Sequence, residues 1–381
     1  ELPPGSSFIF NIKKWSFEKD YDWQNYYSLP LKERINAEFL DNPYLQNYKL
    51  TKENLINTLS DSIQSRFKCD VPLQLALSSG IDSTLIANLI AKNINLKNNF
   101  IRALTVGFDH EFDESKNSID LSSQLNLKHK VLKFQNENFL ELLKLAIKYQ
   151  SSMLEHPHSL SYFVLCREAR KKGKVLITGE GADELFFGYG HYENKFCNSF
   201  AFRPFLDTKK YFHKSKTNFE IYFKDEFSFR NEALKSKYRS RDLEFKTHLL
   251  GLLKRNDRMS MSNSVEIRAP FLDLQLINLV LNDRDPNLHG FYQKKYFEKY
   301  LSKNINFYKK PSRKIGFHVP FDAWYLTNQN NKVLRNIIDT GIETLYEICD
   351  LEIINKNLIE PRFAWILVNV GLFVEEFKCK I

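Results

Sequence analysis

Four short apolar runs, Leu73–Leu77, Phe100–Phe108, His129–Phe134 and Lys174–Thr178, alternate along the chain with segments of helical periodicity. After Thr51, a hydroxyl suited to cap a helix, Leu55, Leu59, Ile63 and Phe67 recur every fourth residue. That spacing predicts a helix with one buried stripe. Phe139, Leu140, Leu142, Leu143 and Ile147 form a second stripe of the same kind. Strands alternating with helices predict an α/β fold, a parallel sheet with helices on both faces. In an open sheet of this type ligands bind beyond the carboxyl ends of the strands. The turns at Ser78–Ser83 and Gly179–Asp183 both leave predicted strands at that edge, so two distant pieces of sequence are expected to share one crevice.

Beyond about residue 200 the strand signal fades, and Asn231–Asp257, Asp273–Leu281 and Lys294–Leu301 read as helices. This pattern predicts a mainly helical half that lies as a layer over the crevice. Asn328–Asn331 and Asn355–Asn357 have the composition of surface loops. Residues 1–48 show no clear period and read as a connector packed on the outside. The expected division is a connector over 1–48 and one domain over 49–381, split into a nucleotide-binding α/β part (49–200) and a helical part (201–381).

The first turn, Leu77-Ser78-Ser79-Gly80-Ile81-Asp82-Ser83, has the composition of a phosphate site. Small residues admit an anion close to the backbone, the first amides of the next helix and the serine hydroxyls can donate to it, and Asp82 can hold Mg²⁺. No Gly-Lys-Ser/Thr follows, so it is not a Walker A loop. Ser79, where glycine would be unrestricted, requires a negative φ. The second turn places Glu180, Asp183 and Glu184 within five residues, and such a group repels itself unless a cation sits among the carboxylates. Asp183 is the expected second Mg²⁺ ligand. Gly179 and Gly181 permit the tight turn, Glu180 would face the crevice, and Glu184 could brace the following helix.

Composition adds exclusions. A net charge of +9, from 55 basic and 46 acidic side chains, invites a nucleic-acid reading, but the lysines are spread through the whole chain rather than clustered. No run of about 18 uncharged apolar residues exists to span a membrane. The start lacks the basic and apolar regions of a secretory signal. Five scattered cysteines without a Cys-x-x-Cys pair suggest neither a zinc site nor a disulfide framework, and a cytoplasmic setting is expected.

Both turns, together with Leu252–Asp273, which contains Asp257, Ser260, Glu266, Arg268 and Pro270, and with Arg313-Lys314-Ile-Gly316-Phe317-His-Val-Pro320, resemble the synthetase domain of the asparagine synthetase family. That family lies in the PP-loop ATP pyrophosphatase superfamily. Asp70-Val71-Pro72, Thr105–Phe108 with Asp113-Glu114, and Glu155-His-Pro157 agree as well. The resemblance spans about residues 49–370 and implies an adenine nucleotide alpha hydrolase-like fold. It implies ATP-dependent adenylation of a carboxylate, aspartate first, followed by attack of ammonia. ATP would be held by Leu77, Ser78, Ser79, Gly80, Asp82, Ser83, Val106, Gly179 and Lys314, with Mg²⁺ on Asp82 and Asp183. Lys314 would offset transition-state charge and Glu180 would accept a proton from ammonia. Taken alone, Lys314 also fits a solvated basic run and Val106 fits a plain core valine. Glu266 and Arg268 are expected as a buried pair shaping the site. The opening Glu1–Phe10 resembles the closing strand of a glutaminase domain, so a fragment is expected, with ammonia from an upstream or separate glutaminase or from solution; a homodimer is left open. The same chemistry on a sugar uronate or peptide carboxylate, a PP-loop tRNA-modifying enzyme, and a non-catalytic nucleotide-binding module are the remaining readings.

Overall fold

A computed structural model describes residues 8–11, 16–20, 50–93, 100–108, 113, 115–134, 138–154, 156–189, 245, 248–281, 294–306, 308, 319–346 and 360–378. Two strands near the start, β1 (Phe8–Asn11) and β2 (Ser16–Asp20), pair antiparallel. The remainder of the connector lies outside the described residues.

The main sheet has five strands, all parallel: β3 (Leu73–Ala76), β4 (Phe100–Phe108), β5 (His129–Phe134), β6 (Val175–Ile177) and β7 (Glu266–Arg268), in the order β5-β4-β3-β6-β7. The chain builds outward from β3 through β4 to β5 and then crosses back to β6 on the other side of β3. The strand order therefore reverses between β3 and β6, and a crevice opens at their carboxyl ends. The two sequence turns leave exactly these neighbouring strands.

Alternation along the strands assigns the two faces. Leu73, Leu75, Leu77, Ala103, Val175 and Ile177 enter one apolar cluster, whereas Ala76, Leu104, Val106 and Leu176 enter the other. The first cluster is covered by α1 (Lys52–Arg66), α2 (Ile81–Lys92), α3 (Ser115–Gln124), α6 (Ala182–Phe186), α8 (Leu274–Leu281) and α9 (Lys295–Asn304). The second is covered by α4 (Phe139–Gln150), α5 (Ser159–Ala169), α7 (His248–Met261), α10 (Phe321–Asn328), α11 (Lys332–Thr344) and α12 (Pro361–Phe377). Helices on both faces of a parallel sheet were expected. Burial on both sides explains why β3 reads as an apolar run rather than an alternating one.

Local signals agree with these elements. Thr51 caps α1, its Oγ1 accepting the Asn54 amide at 3.1 Å. Asn331, in the expected loop, caps α11 by accepting the amides of Val333 and Leu334 at 2.9 and 3.3 Å. Asp113 accepts from the Phe108 and Ser115 amides, joining the end of β4 to the start of α3.

The second half differs from expectation in two respects. It supplies a fifth strand, β7, too short and too polar to stand out in the sequence. Its helices divide between the two faces rather than forming one layer over the crevice, because α8 and α9 return to the α1 side. The helix expected over Asn231–Asp257 is described from His248 to Met261, and the earlier part of that span lies outside the described residues, as does Asn355–Asn357.

Candidate functional site at the sheet switch point

The first turn is organised by its own hydroxyls. Ser83 Oγ accepts the Ser78 amide at 3.2 Å, donates to the Ser78 carbonyl at 2.8 Å and lies 3.0 Å from Ser78 Oγ, which in turn accepts the Gly80 amide at 3.2 Å. The backbone is thereby fixed at the start of α2, with the amides of its first turn aimed past the strand ends. Ser79 fits without a positive φ. Its buried Oγ and the buried Oγ1 of Thr178, at the end of β6, have no hydrogen-bond partner among the described residues. Buried hydroxyls left this way at two adjacent strand ends call for a ligand or water.

The second turn packs directly on the first. A Cβ at Gly179 would come within 3.0 Å of Asp82 Cβ, so the missing side chain lets the two turns touch. Gly181 adopts φ +87°, and a Cβ there would lie 2.2 Å from Leu272 Cδ2. Gly181→Ala is expected to cost about 1–3 kcal/mol through left-handed strain and overpacking. A urea melt of the two proteins checks it, and equal midpoints would contradict the tight turn.

Asp82 and Asp183 meet at one point, and the cation between them is Lys294. Its Nζ donates to Asp82 Oδ2 at 2.6 Å and to Asp183 Oδ1 at 2.5 Å, with only 5% of the side chain exposed. Burial by itself would lower the pKa of this ammonium, but the charges and hydrogen bonds of Asp183 and Asp82 together outweigh it and raise the value. Nothing in the sequence marked Lys294, which reads there as the first residue of a helix.

Glu180 is held from two sides. It accepts the hydroxyl of Tyr162 on α5, and the Arg255 guanidinium of α7 lies 3.5 Å from the same oxygen and 4.7 Å from the centre of the Tyr162 ring. Burial and the adjacent Glu180 charge push the Tyr162 phenol up, which keeps it a neutral donor. Sequence reasoning missed both partners, since each sits on a helix face where packing explains the residue. Glu184 is buried, accepts the Tyr189 hydroxyl at 2.6 Å and is pushed up to about 8 by burial and by Asp183, so it braces α6 as a neutral acid.

Other expected site residues are placed differently. Leu77 and Val106 send their side chains into the two cores, and the Leu77 backbone is itself engaged, its amide donating to the Leu104 carbonyl at 2.8 Å and its carbonyl accepting the Thr105 hydroxyl at 2.5 Å. Glu266 and Arg268 do pair, at 2.8 Å, but the Glu266 side chain is 55% exposed. Arg268 reaches the carbonyls of Arg66 and Lys68 instead, so the pair braces the end of α1 from an edge strand. It is not a buried pair shaping the crevice. Lys314 lies outside the described residues; the chain is described again at Val319, whose amide donates to His158 Nδ1 at 3.1 Å, just before α5.

The family profile for asparagine synthase matches residues 54–363. The chain belongs to the asparagine synthase family. A glutamine-hydrolyzing asparagine synthetase 1 from Bacillus subtilis is 25% identical over 346 residues, covering 78% of this chain and 54% of that protein. A putative glutamine-hydrolyzing asparagine synthetase from Mycobacterium tuberculosis is 27% identical over 272 residues, covering 58% of this chain and 40% of the relative. The chain thus spans about half the length of the curated relatives it matches. A solved NH₃-dependent NAD synthetase from Campylobacter jejuni shares 23% identity over 56% of this chain and 96% of its own, with a TM-score of 0.28. Within the asparagine synthase match lie both turns, Lys294 and the Tyr162–Arg255–Glu180 group. No helix among the described residues is long and apolar enough to cross a membrane.

Proposed function

We propose that this member of the asparagine synthase family is an ATP-dependent amide-forming ligase that adenylates the side-chain carboxylate of aspartate and passes ammonia to it, giving asparagine, AMP and pyrophosphate. First a carboxylate oxygen bonds to the α-phosphorus and pyrophosphate leaves. Ammonia then bonds to the acyl carbon, AMP leaves with the broken carbon–oxygen bond, and the nitrogen loses a proton to a base. The observation that carries this reading is the convergence of Asp82 and Asp183 on one cation beside a hydroxyl-lined helix start.

The donor set suits Mg²⁺. Both groups are carboxylates, already close enough to be bridged by one ammonium nitrogen. Among the described residues no cluster of three metal-binding side chains occurs. Two carboxylates are the complement expected of an ion that takes its other ligands from phosphates and water. When bound, Mg²⁺ would offset the charge of the triphosphate and of the leaving pyrophosphate. Ser78, Ser79, Gly80 and Ser83 would hold the phosphates, with Gly179 allowing close approach and with Val106 offering backbone groups. Lys314 is assigned, on the family resemblance, to the charge that builds on phosphorus and then on carbon. The ammonia would come from solution or from glutamine, through a glutaminase domain of the parent chain or a separate glutaminase, in the cytoplasm.

ATP–pyrophosphate exchange measured with aspartate and with a panel of other acids tests the substrate. Exchange with aspartate supports the reading, whereas silence with aspartate beside turnover of a sugar uronate or a peptide carboxylate would replace it. Glu180 is proposed to take the proton from ammonia, its second hydrogen-bonding partners Tyr162 and Arg255 keeping the carboxylate in place. Glu180→Gln is then expected to leave exchange within a few-fold of normal while amide formation falls about 10²-fold. Equal losses in the two assays would instead assign Glu180 to the first step.

A further inference from the structure

Lys294 has a conformation that helix packing does not explain. It is the N-cap residue of α9, with φ +60°, in the left-handed region that strains a residue bearing a side chain. Its backbone is turned so that a long side chain can reach inward rather than out to solvent. The space it enters is cleared by Gly188, where a Cβ would lie 2.1 Å from Asp183 Oδ1, 2.5 Å from Lys294 Cε and 2.8 Å from Nζ. Two independent features, a strained backbone and an absent side chain, thus accommodate one ion-paired lysine. The ammonium stands on the same carboxylate oxygens that a divalent cation would need. Two cations cannot share them at those distances, because repulsion between a monovalent and a divalent charge in a site this buried is severe.

We propose that Lys294 is an internal counter-cation that occupies the carboxylate pair while no nucleotide is bound and vacates it when phosphates arrive to receive its charge. The inference rests on the reading of Asp82 and Asp183 as the Mg²⁺ ligands. Its consequence is an order of binding. Free divalent metal is kept off the site, and metal enters together with nucleotide, whose phosphate oxygens supply both the missing metal ligands and a new partner for the ammonium. Without the lysine the two carboxylates lose the ammonium that lies between them, and a divalent ion can take its place in the absence of nucleotide.

The test is a titration of the full chain with Mn²⁺ and no nucleotide, following free Mn²⁺ by electron paramagnetic resonance. Lys294→Met is expected to bind one Mn²⁺ at least about tenfold more tightly than the unaltered protein, because the competing charge is gone. Adding Asp82→Asn to that variant is expected to abolish the gain. Lys294→Gln, which keeps a hydrogen-bond donor without the charge, gives a second route should the methionine variant fold poorly, and a Mn²⁺-dependent rise in its melting temperature reports the same event. Identical titrations for the unaltered protein and both variants would overturn the proposal. Tighter Mn²⁺ binding in a protein that shows no ATP–pyrophosphate exchange would overturn the ligase reading and support the role of the lysine, so the two ideas fail separately.

Discussion

Replacing Asp183 by asparagine is expected to lower ATP–pyrophosphate exchange by about 10³-fold while leaving the fold intact. The substitution keeps shape and keeps an oxygen that can accept from Lys294 at the 2.5 Å position, so the local structure retains a partner for the buried ammonium. What it removes is the negative charge. A neutral amide oxygen is a much weaker ligand for a hard cation than a carboxylate, and the charge on the leaving pyrophosphate would lose its compensation at the moment it develops. Asp82→Asn should behave similarly, since both carboxylates meet the same cation. Exposed Asp120 on α3 is the control, and its asparagine variant should exchange at the normal rate. Far-UV circular dichroism separates loss of chemistry from loss of fold. Full exchange in Asp183→Asn would remove this residue from the metal site and with it the central support for the proposed function.

The central strands were legible because β3 and β6 are buried on both sides. In β3, Leu73, Leu75 and Leu77 face one core while Ala76 faces the other, and the one polar residue among them, Gln74, is buried and hydrogen-bonded. The strand β7 was not legible for the opposite reason: three residues at an edge, with Glu266 and Arg268 at its ends, carry no such pattern. The first turn could be read because small and hydroxyl residues before a helix suit close approach to an anion, and the second because three carboxylates within five residues call for a cation. Their convergence was expected because both leave strands at the carboxyl edge, and the strand order that makes β3 and β6 neighbours came from the structure. Lys294 was hidden because its partners are 212 and 111 residues away in sequence, and a lysine opening a basic amphipathic helix normally stays in solvent. Three carboxylates near one strand end did signal a cation, but sequence alone offered a metal where the fold supplies an ammonium.

At the opposite edge of the sheet, Glu168→Gln is expected to cost about 3 kcal/mol in stability at neutral pH while leaving the specific activity of the folded protein unchanged. Glu168 Oε1 lies 3.0 Å from Arg102 Nη2 and 2.6 Å from Lys130 Nζ, and Oε2 lies 2.9 Å from Lys171 Nζ. The two lysines are 45% and 65% exposed, so solvent weakens their attraction without removing it. Arg102 is different: it is 11% exposed, and its remaining side-chain bond runs from Nε to Gln74 Oε1 at 2.9 Å. Gln74 in turn donates to the carbonyls of Ala169 and Gly173 at 2.7 and 3.3 Å, tying β3 to the loop that enters β6. Neutralising Glu168 therefore leaves a buried guanidinium without its counter-charge in the middle of that tie. The pH dependence has a definite sign. Burial alone would raise the Glu168 pKa, but hydrogen bonds and charges from Lys130 and Lys171 bring it down to about 2 from the ordinary 4.5. A carboxylate whose pKa is depressed by folding stabilises fully above its unfolded value and loses that contribution as the pH falls toward the folded one. The stability gap between the unaltered protein and Glu168→Gln should be complete at pH 6–7 and narrow between about pH 4.5 and 2. Urea melts across that range measure it. A gap that persists undiminished at the acid end would show that lost packing, not lost charge, explains the variant, and no gap at neutral pH would show that Arg102 finds another partner.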